Sequence, residues 1–258
     1  MRRGVWLATA CAPVLAYICS QNFRNFVGYW RWRYNLQMWA VPRITAGVSD
    51  VRHHVLILGS SVSAGDGAES PAPGGLSWAQ RLAQALEPHR MQLHNRGIQA
   101  TETGLWQWIL AEKVSAECLA EFSIVVMSLS LGNEGLPFST DPDHVAFVEN
   151  KYRTGLRGIA RALRAKMRPG ARLILGGPYP NDLYQDVHVP VLHRVLEDMK
   201  TWEEVDHVVD FLKPGLHDGG GKFAPGTSRD YAHPNKAGHE QMFNCLDLAT
   251  ILGPLASA

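Results

Sequence analysis

The stretch HVLILGSSVSAGDG, residues 54–67, carries a short apolar run directly into a turn rich in serine and glycine. Such a junction can be a surface loop, a cradle for a phosphate group, or a strand that ends by presenting a hydroxyl nucleophile. A phosphate loop of the form GxxxxGK[ST] needs a lysine after its glycines, and none follows here. The dinucleotide-binding spacing GxGxxG does not fit Gly59, Gly65 and Gly67, and the stretch lacks the GxSxG elbow of other serine hydrolases. What remains is G-S-S-x-S-x-G at the end of an apolar run, which by itself fits a plain turn as well as a nucleophile.

The surrounding elements narrow the choice. Apolar runs at 54–59, 91–95, 123–131, 172–176 and 207–212 read as strands. Helical patterns occupy 77–86, 103–113, roughly 144–167 and roughly 182–203, and a last helix begins near Asn235. Ser77 followed by Gln80 makes a capping box, and RPGAR at 168–172 stops a helix before a strand. The runs IVVMSLSL and LILGG lack strict alternation, as expected when helices cover both faces of a sheet. The pattern predicts an α/β chain, a three-layer α/β/α domain around a five-stranded parallel sheet, spanning residues 50–255. In open parallel sheets ligands bind beyond the carboxyl ends of the strands. That rule points to 59–67, 95–103, 131–135 and the loop before the last helix, each rich in small and polar residues.

Those four segments carry a resemblance. LGSSVSAG, NRGIQA, LGNE and DYAHPN stand in the order of the four blocks of the SGNH, or GDSL-type, esterase and acylhydrolase family, whose usual forms are G-D-S-x-[ST]-x-G, N-x-G-x-x-G, G-x-N-D and D-x-x-H. The chain is similar to that family over essentially all of residues 52–250, and the resemblance implies its flavodoxin-like fold. It also implies roles. Ser61 would be the nucleophile, His233 the general base and later acid, and Asp230 the carboxylate that holds the imidazole tautomer. The oxyanion hole would be formed by the backbone N–H groups of Ser61 and Ala100 and the side-chain amide of Asn133. No metal or organic cofactor is implied. The blocks depart from their usual form at Ser60, where the family has aspartate, at Ala100, where it has glycine, and at Leu131 and Glu134. An alanine at position 100 preserves the backbone donor only where φ is negative or mildly strained. PYPNDLY follows the fourth strand, so topology places Tyr179, Asn181 and Tyr184 along the substrate cleft.

Bulk properties agree with a globular enzyme. The 258 residues are 46% hydrophobic and 19% charged, and a net charge of +1 gives no reason to expect nucleic acid as a partner. The charge is unevenly spread: residues 1–44 hold six of the 25 basic residues and none of the 24 acidic ones. Cys11, Cys19, Cys118 and Cys245 match no zinc or CxxC spacing, and the remaining histidines read as surface or packing residues. The HDGGGK segment, 217–222, reads as a flexible lip over the site before it reads as a metal loop. Residues 1–45 form a separate hydrophobic, Arg/Trp-rich segment. Its apolar run at 5–19 has the length of a signal h-region, about 22 Å as helix against a hydrocarbon core of roughly 30 Å. Trp30, Trp32 and Trp39 then alternate with arginine and tyrosine, a composition suited to the membrane–water interface. This segment reads as a signal anchor or interfacial helix with membrane contact through residues 5–40, a helix packed on the domain, or an organelle leader.

The expected function is a serine esterase that cleaves a carboxylic ester through an acyl-enzyme, its substrate a small-molecule, carbohydrate or lipid ester. The same residues would serve an O-acyltransferase, since the acceptor depends on water exclusion at the acyl-enzyme stage. A non-catalytic, membrane-associated binding protein that kept the fold is the rival from another class. The substitutions at Ser60, Ala100 and Glu134 favour it, and the set Ser61, Asp230, His233 and Asn133 speaks against it.

Overall fold

A computed structural model describes residues 50–68, 76–253 and 255; the expected N-terminal segment 1–45 lies outside the described residues. Five strands, β1 (His53–Gly59), β2 (Met91–Gly97), β3 (Phe122–Ser128), β4 (Arg172–Gly176) and β5 (His207–Val209), form one sheet. Every neighbouring pair is parallel, in the order β2-β1-β3-β4-β5. The chain leaves β1 to one side to make β2 and returns to the other side to make β3. The strand order therefore reverses between β1 and β3, and the crevice at their carboxyl ends is where such a sheet receives a ligand.

The described helices are α1 (Ser61–Ala64), α2 (Trp78–Leu86), α3 (Thr103–Glu112), α4 (Ala116–Ala120), α5 (Pro142–Lys166), α6 (Val189–Met199), α7 (Lys236–Asn244) and α8 (Leu248–Leu252). All seven residues of β3 are buried, which is why its sequence shows a continuous apolar run. On one face Val55, Ile57, Ile124, Val126 and Ile174 meet Trp78, Leu82 and Leu86 of α2, Met242 of α7 and Ile251 of α8. On the other, α5 packs against α3 and α6. The α2 capping box is present: Ser77 Oγ accepts from Gln80 N–H, and Gln80 Oε1 accepts from Ser77 N–H.

Among the expected boundaries that move, three do so for a local polar reason. β3 ends at Ser128 instead of running to 131, because Ser130 Oγ accepts from Gly132 N–H and opens a turn. β5 ends at Val209, where Asp210 Oδ1 accepts from Leu212 N–H. The helix expected from 182 starts at Val189. Asn181 Oδ1 accepts from Leu183 N–H and His188 Nδ1 from Gln185 N–H, so side chains hold 181–188 as irregular turns. Cys118 is an exposed free thiol and Cys245 a buried one. Among the described residues no helix is long and apolar enough to cross a membrane.

Candidate active site

β1 delivers its last residues to the switch point with little freedom. Gly59 has φ +151°, and a Cβ there would lie 2.2 Å from the Ser128 carbonyl oxygen of the neighbouring strand. Only glycine fits so close a crossing. Ser60 N–H then donates to Ser128 O at 3.2 Å, and Ser61 opens the one-turn helix α1. Side chains of β2 and α2 and the turn's own Ser63 pin it: Asn95 Nδ2 donates to Ser63 O (2.7 Å), Trp78 Nε1 to Val62 O (3.1 Å) and Ser63 Oγ to Ser128 O (3.2 Å).

The second half of the site is a narrow loop ahead of α7. Arg229 N–H donates to His233 O at 2.9 Å, and Ser228 bridges Pro234 in antiparallel fashion. Asn235 caps α7 through Gly238 N–H and donates its amide to Gly226 O and Ser228 O. Gly67, at φ +94°, lies against this loop so closely that a Cβ would fall 1.9 Å from Pro234 O. The two halves are thereby locked together.

Across this junction His233 Nε2 lies 3.0 Å from Ser61 Oγ, and His233 Nδ1 lies 2.9 and 3.1 Å from the two Asp230 carboxylate oxygens. A carboxylate only accepts, so Nδ1 carries the ring proton and the Nε2 lone pair faces the serine hydroxyl. Burial pushes the Asp230 carboxyl up, but the Ala232 N–H, the His233 ring and the Arg229 guanidinium outweigh it and hold the pKa at about 2. Asp230 Oδ1 takes both backbone N–H bonds, from Ala232 and His233 at 2.9 Å each. Arg229 reaches Oδ2 at 3.0 Å.

Ala100 is exposed and has φ +55°. It keeps the left-handed backbone a glycine would take, with the strain that a Cβ adds. Asn133 is exposed as well, and its Nδ2 donates to Thr101 O at 2.9 Å. One amide proton thus ties Asn133 to the residue after Ala100, and the second is left for a ligand. Ser61 N–H heads the first turn of α1, where helix N–H groups lack intrahelical partners.

The departures from the usual blocks have local partners. Ser60 is fully buried, and its Oγ lies 3.1 Å from the Tyr179 hydroxyl. Burial pushes the Tyr179 phenol up, and hydrogen bonds with Ser130 and Ser60 moderate the rise. Glu134 is buried, and its Oε1 accepts from Thr103 N–H, the first residue of α3, at 2.6 Å. Tyr179, Asn181 and Tyr184, expected along the cleft, are all buried. They form a polar floor beneath it and offer little surface to a ligand. Asn181 Nδ2 and Ser130 Oγ close around the bare α-carbon of Gly132. Their place after β4 follows topology, but all three side chains are turned inward and buried.

The HDGGGK segment is held by its own side chains. His217 Nε2 accepts from Gly221 N–H, and Asp218 Oδ1 from Gly220 and Lys222 N–H. Among the described residues no three His, Cys, Asp or Glu side chains are grouped as metal donors. Gly67 and Arg229 are positioning residues that sequence reading passed over. Asn95 stood at the head of the second block, NRGIQA, but its hold on Ser63 O was not foreseen.

A family model of the GDSL-like lipase/acylhydrolase family matches residues 57–241. No curated protein matches the sequence. Among solved structures, the lipase Lip_vut3 from a goat rumen metagenome superposes with a TM-score of 0.62 at 17% identity, covering 79% of this chain and 99% of that one. TesA gives 0.56 at 20% identity, with coverage of 78% and 99%. A catalytic mutant of Axe2, an acetylxylan esterase from Geobacillus stearothermophilus, gives 0.51 at 15% identity, with coverage of 78% and 94%. At these identities the superpositions speak for the fold, over 78–79% of this chain, and the family match carries the rest. With all four sequence blocks gathered at the switch point of one such sheet, the chain belongs to the GDSL-like lipase/acylhydrolase family of hydrolases.

Proposed function

We propose that the chain is a serine esterase that works through an acyl-enzyme on Ser61. The observation that carries this reading is the continuous relay from Ser61 Oγ to His233 Nε2 at 3.0 Å and from His233 Nδ1 to Asp230 at 2.9 Å. Ser61 Oγ attacks the ester carbonyl while its proton passes to His233 Nε2. The carbonyl electron pair moves onto oxygen, facing the N–H groups of Ser61 and Ala100 and the Asn133 amide. When the tetrahedral intermediate collapses, the C–O bond to the alcohol breaks and His233 returns the proton to the leaving oxygen. Water then repeats the sequence against the acyl-enzyme and restores the serine. Asp230, anchored by two backbone N–H groups, keeps the imidazole in the tautomer that both steps need.

The substrate we infer is a lipid or carbohydrate ester. Tyr231, 56% exposed beside Asp230, and Phe138, 74% exposed in the turn after Asn133, favour a substrate with apolar or ring surface to cover. Hydrolysis of p-nitrophenyl acetate, butyrate and laurate by the full chain tests this reading. Ser61→Ala is expected to lose at least ~10³-fold in kcat with binding retained. Folded protein that turns over none of these esters, and whose Ser61 resists a fluorophosphonate, would overturn it. Labelling at Ser61 without net hydrolysis, restored by added alcohols or sugars, would redirect it to acyl transfer.

A further inference from the structure

The two segments that flank the proposed oxyanion hole meet at a buried ion pair. Glu134, next in the chain to Asn133, has a side chain with no solvent exposure. Its Oε1 accepts the Thr103 N–H at 2.6 Å, and its Oε2 faces Lys151 Nζ of α5 at 2.8 Å. Lys151 also reaches Glu102 Oε2 at 2.6 Å, at the N-cap of α3. One ammonium therefore holds the loop after β2 through Glu102 and the loop after β3 through Glu134. These are the loops that carry Ala100 and Asn133, already joined once by the Asn133–Thr101 hydrogen bond.

The energetics make the lysine decisive. Among the described residues Glu134 Oε2 has no hydrogen-bond partner, and what it meets is the Lys151 ammonium of the ion pair. A buried carboxylate left without a counter-charge is strongly disfavoured, so without Lys151 the side chain must take up a proton or leave its place. Either change loosens the grip on Thr103, and the peptide unit shared with Asn133 moves with it. Burial opposes the Lys151 charge, but the carboxylates of Glu102 and Glu134 outweigh it and raise its pKa above the ordinary lysine value. The ammonium is therefore present throughout the range in which the enzyme can be assayed.

We propose that Lys151 is a positioning residue for the oxyanion hole, holding the buried Glu134 carboxylate that ties the Asn133 loop to the start of α3. It touches no reacting atom and acts through Glu134 and Glu102. The proposal rests on the esterase reading above, and the two fail differently.

The experiment compares full-length wild type with Lys151→Met, Lys151→Arg and Glu134→Gln. It measures kcat and KM on a p-nitrophenyl ester, inhibition by an alkylboronic acid that mimics the tetrahedral anion, and thermal stability. Lys151→Met is expected to lower kcat and boronic-acid affinity together by ~10–100-fold, with KM within about twofold. Lys151→Arg is expected to restore most of the loss. Glu134→Gln keeps the side-chain shape and an acceptor for Thr103 but loses the pull of the ammonium. It reads the same coupling if Lys151→Met does not fold, and its kcat is expected to fall with KM held. Variants that lose only melting temperature, with wild-type kcat and inhibitor affinity in the folded protein, would overturn the positioning role alone. A wild type that neither turns over esters nor labels at Ser61 would overturn both readings.

Discussion

At residue 100 the backbone sits at φ +55°, a region that an L side chain enters at a cost of about 1 kcal/mol. The N–H of this residue is one of the proposed oxyanion donors, so the strain falls where a glycine would remove it. Ala100→Gly is expected to stabilise the protein by up to about 0.5 kcal/mol, most of the strain relief being offset by the freer unfolded chain. Because Thr101 is held on both sides, by its hydroxyl on Ile98 O and its carbonyl on Asn133, the donor direction is expected to survive. Urea denaturation and kcat on one ester check both halves. Ser61, Asn133, Asp230 and His233 could be singled out through the family resemblance, because its four blocks are short and local, and the structure joins Ser61, His233 and Asp230 by hydrogen bonds. The partner of Ser60 could not: Tyr179 lies 119 residues away, and nothing short of the folded sheet brings the two hydroxyls to 3.1 Å. The same holds for Asn95 on Ser63 O, a contact that exists only because β2 lies beside β1.

Elements are placed by their own ends as much as by their cores. α5, the longest described helix at 25 residues, packs on both α3 and α6 and carries Lys151. Asp141 opens it, its Oδ1 accepting from Asp143 N–H at 2.8 Å and His144 N–H at 3.1 Å, with Pro142 at the first helical position. Asp141→Ala is expected to cost about 1 kcal/mol, and Asp141→Asn only a few tenths, in denaturant midpoints. Hydrophobic periodicity placed this helix and α2 within a few residues, because each buries a continuous apolar stripe. It failed at 182–188, where Leu183, Val187 and Val191 share a four-residue spacing that imitates a helix. Leu183 and Val187 are exposed, and only Val191 is core. There the Asn181 and His188 side chains capture backbone N–H groups that a helix would have used. α1, α4 and α8, of four and five residues, are too short for any period to register.

For the whole molecule the sharpest consequence is a pH dependence of stability centred on His239. Its ring is fully buried, with Nδ1 accepting from Trp78 N–H at 3.4 Å and Nε2 donating to Asp66 O at 2.9 Å. It thus joins α7, α2 and the turn after α1, the three pieces that frame Ser61 and His233. Burial lowers its pKa to about 4; the Asp66 carbonyl pulls it upward, and His233, Arg229 and Arg81 push it further down. In the unfolded chain the ring titrates near 6.5. Between these values the unfolded state binds more protons, so stability rises with pH across that window. The His239 contribution is complete above about pH 6.5 and is lost progressively as pH falls toward 4, by on the order of 3 kcal/mol. His53, His207 and His217, each lowered first by burial, add to the slope in the same direction. Denaturant midpoints at pH 7.5, 5.5 and 4.5 are expected to fall steeply in the wild type and less steeply in His239→Gln. Equal slopes in the two proteins would place the dependence elsewhere. Asp230, held at about 2, stays ionised throughout this window. Loss of stability there would therefore begin in the frame around the site, before the Asp230 carboxylate takes up a proton.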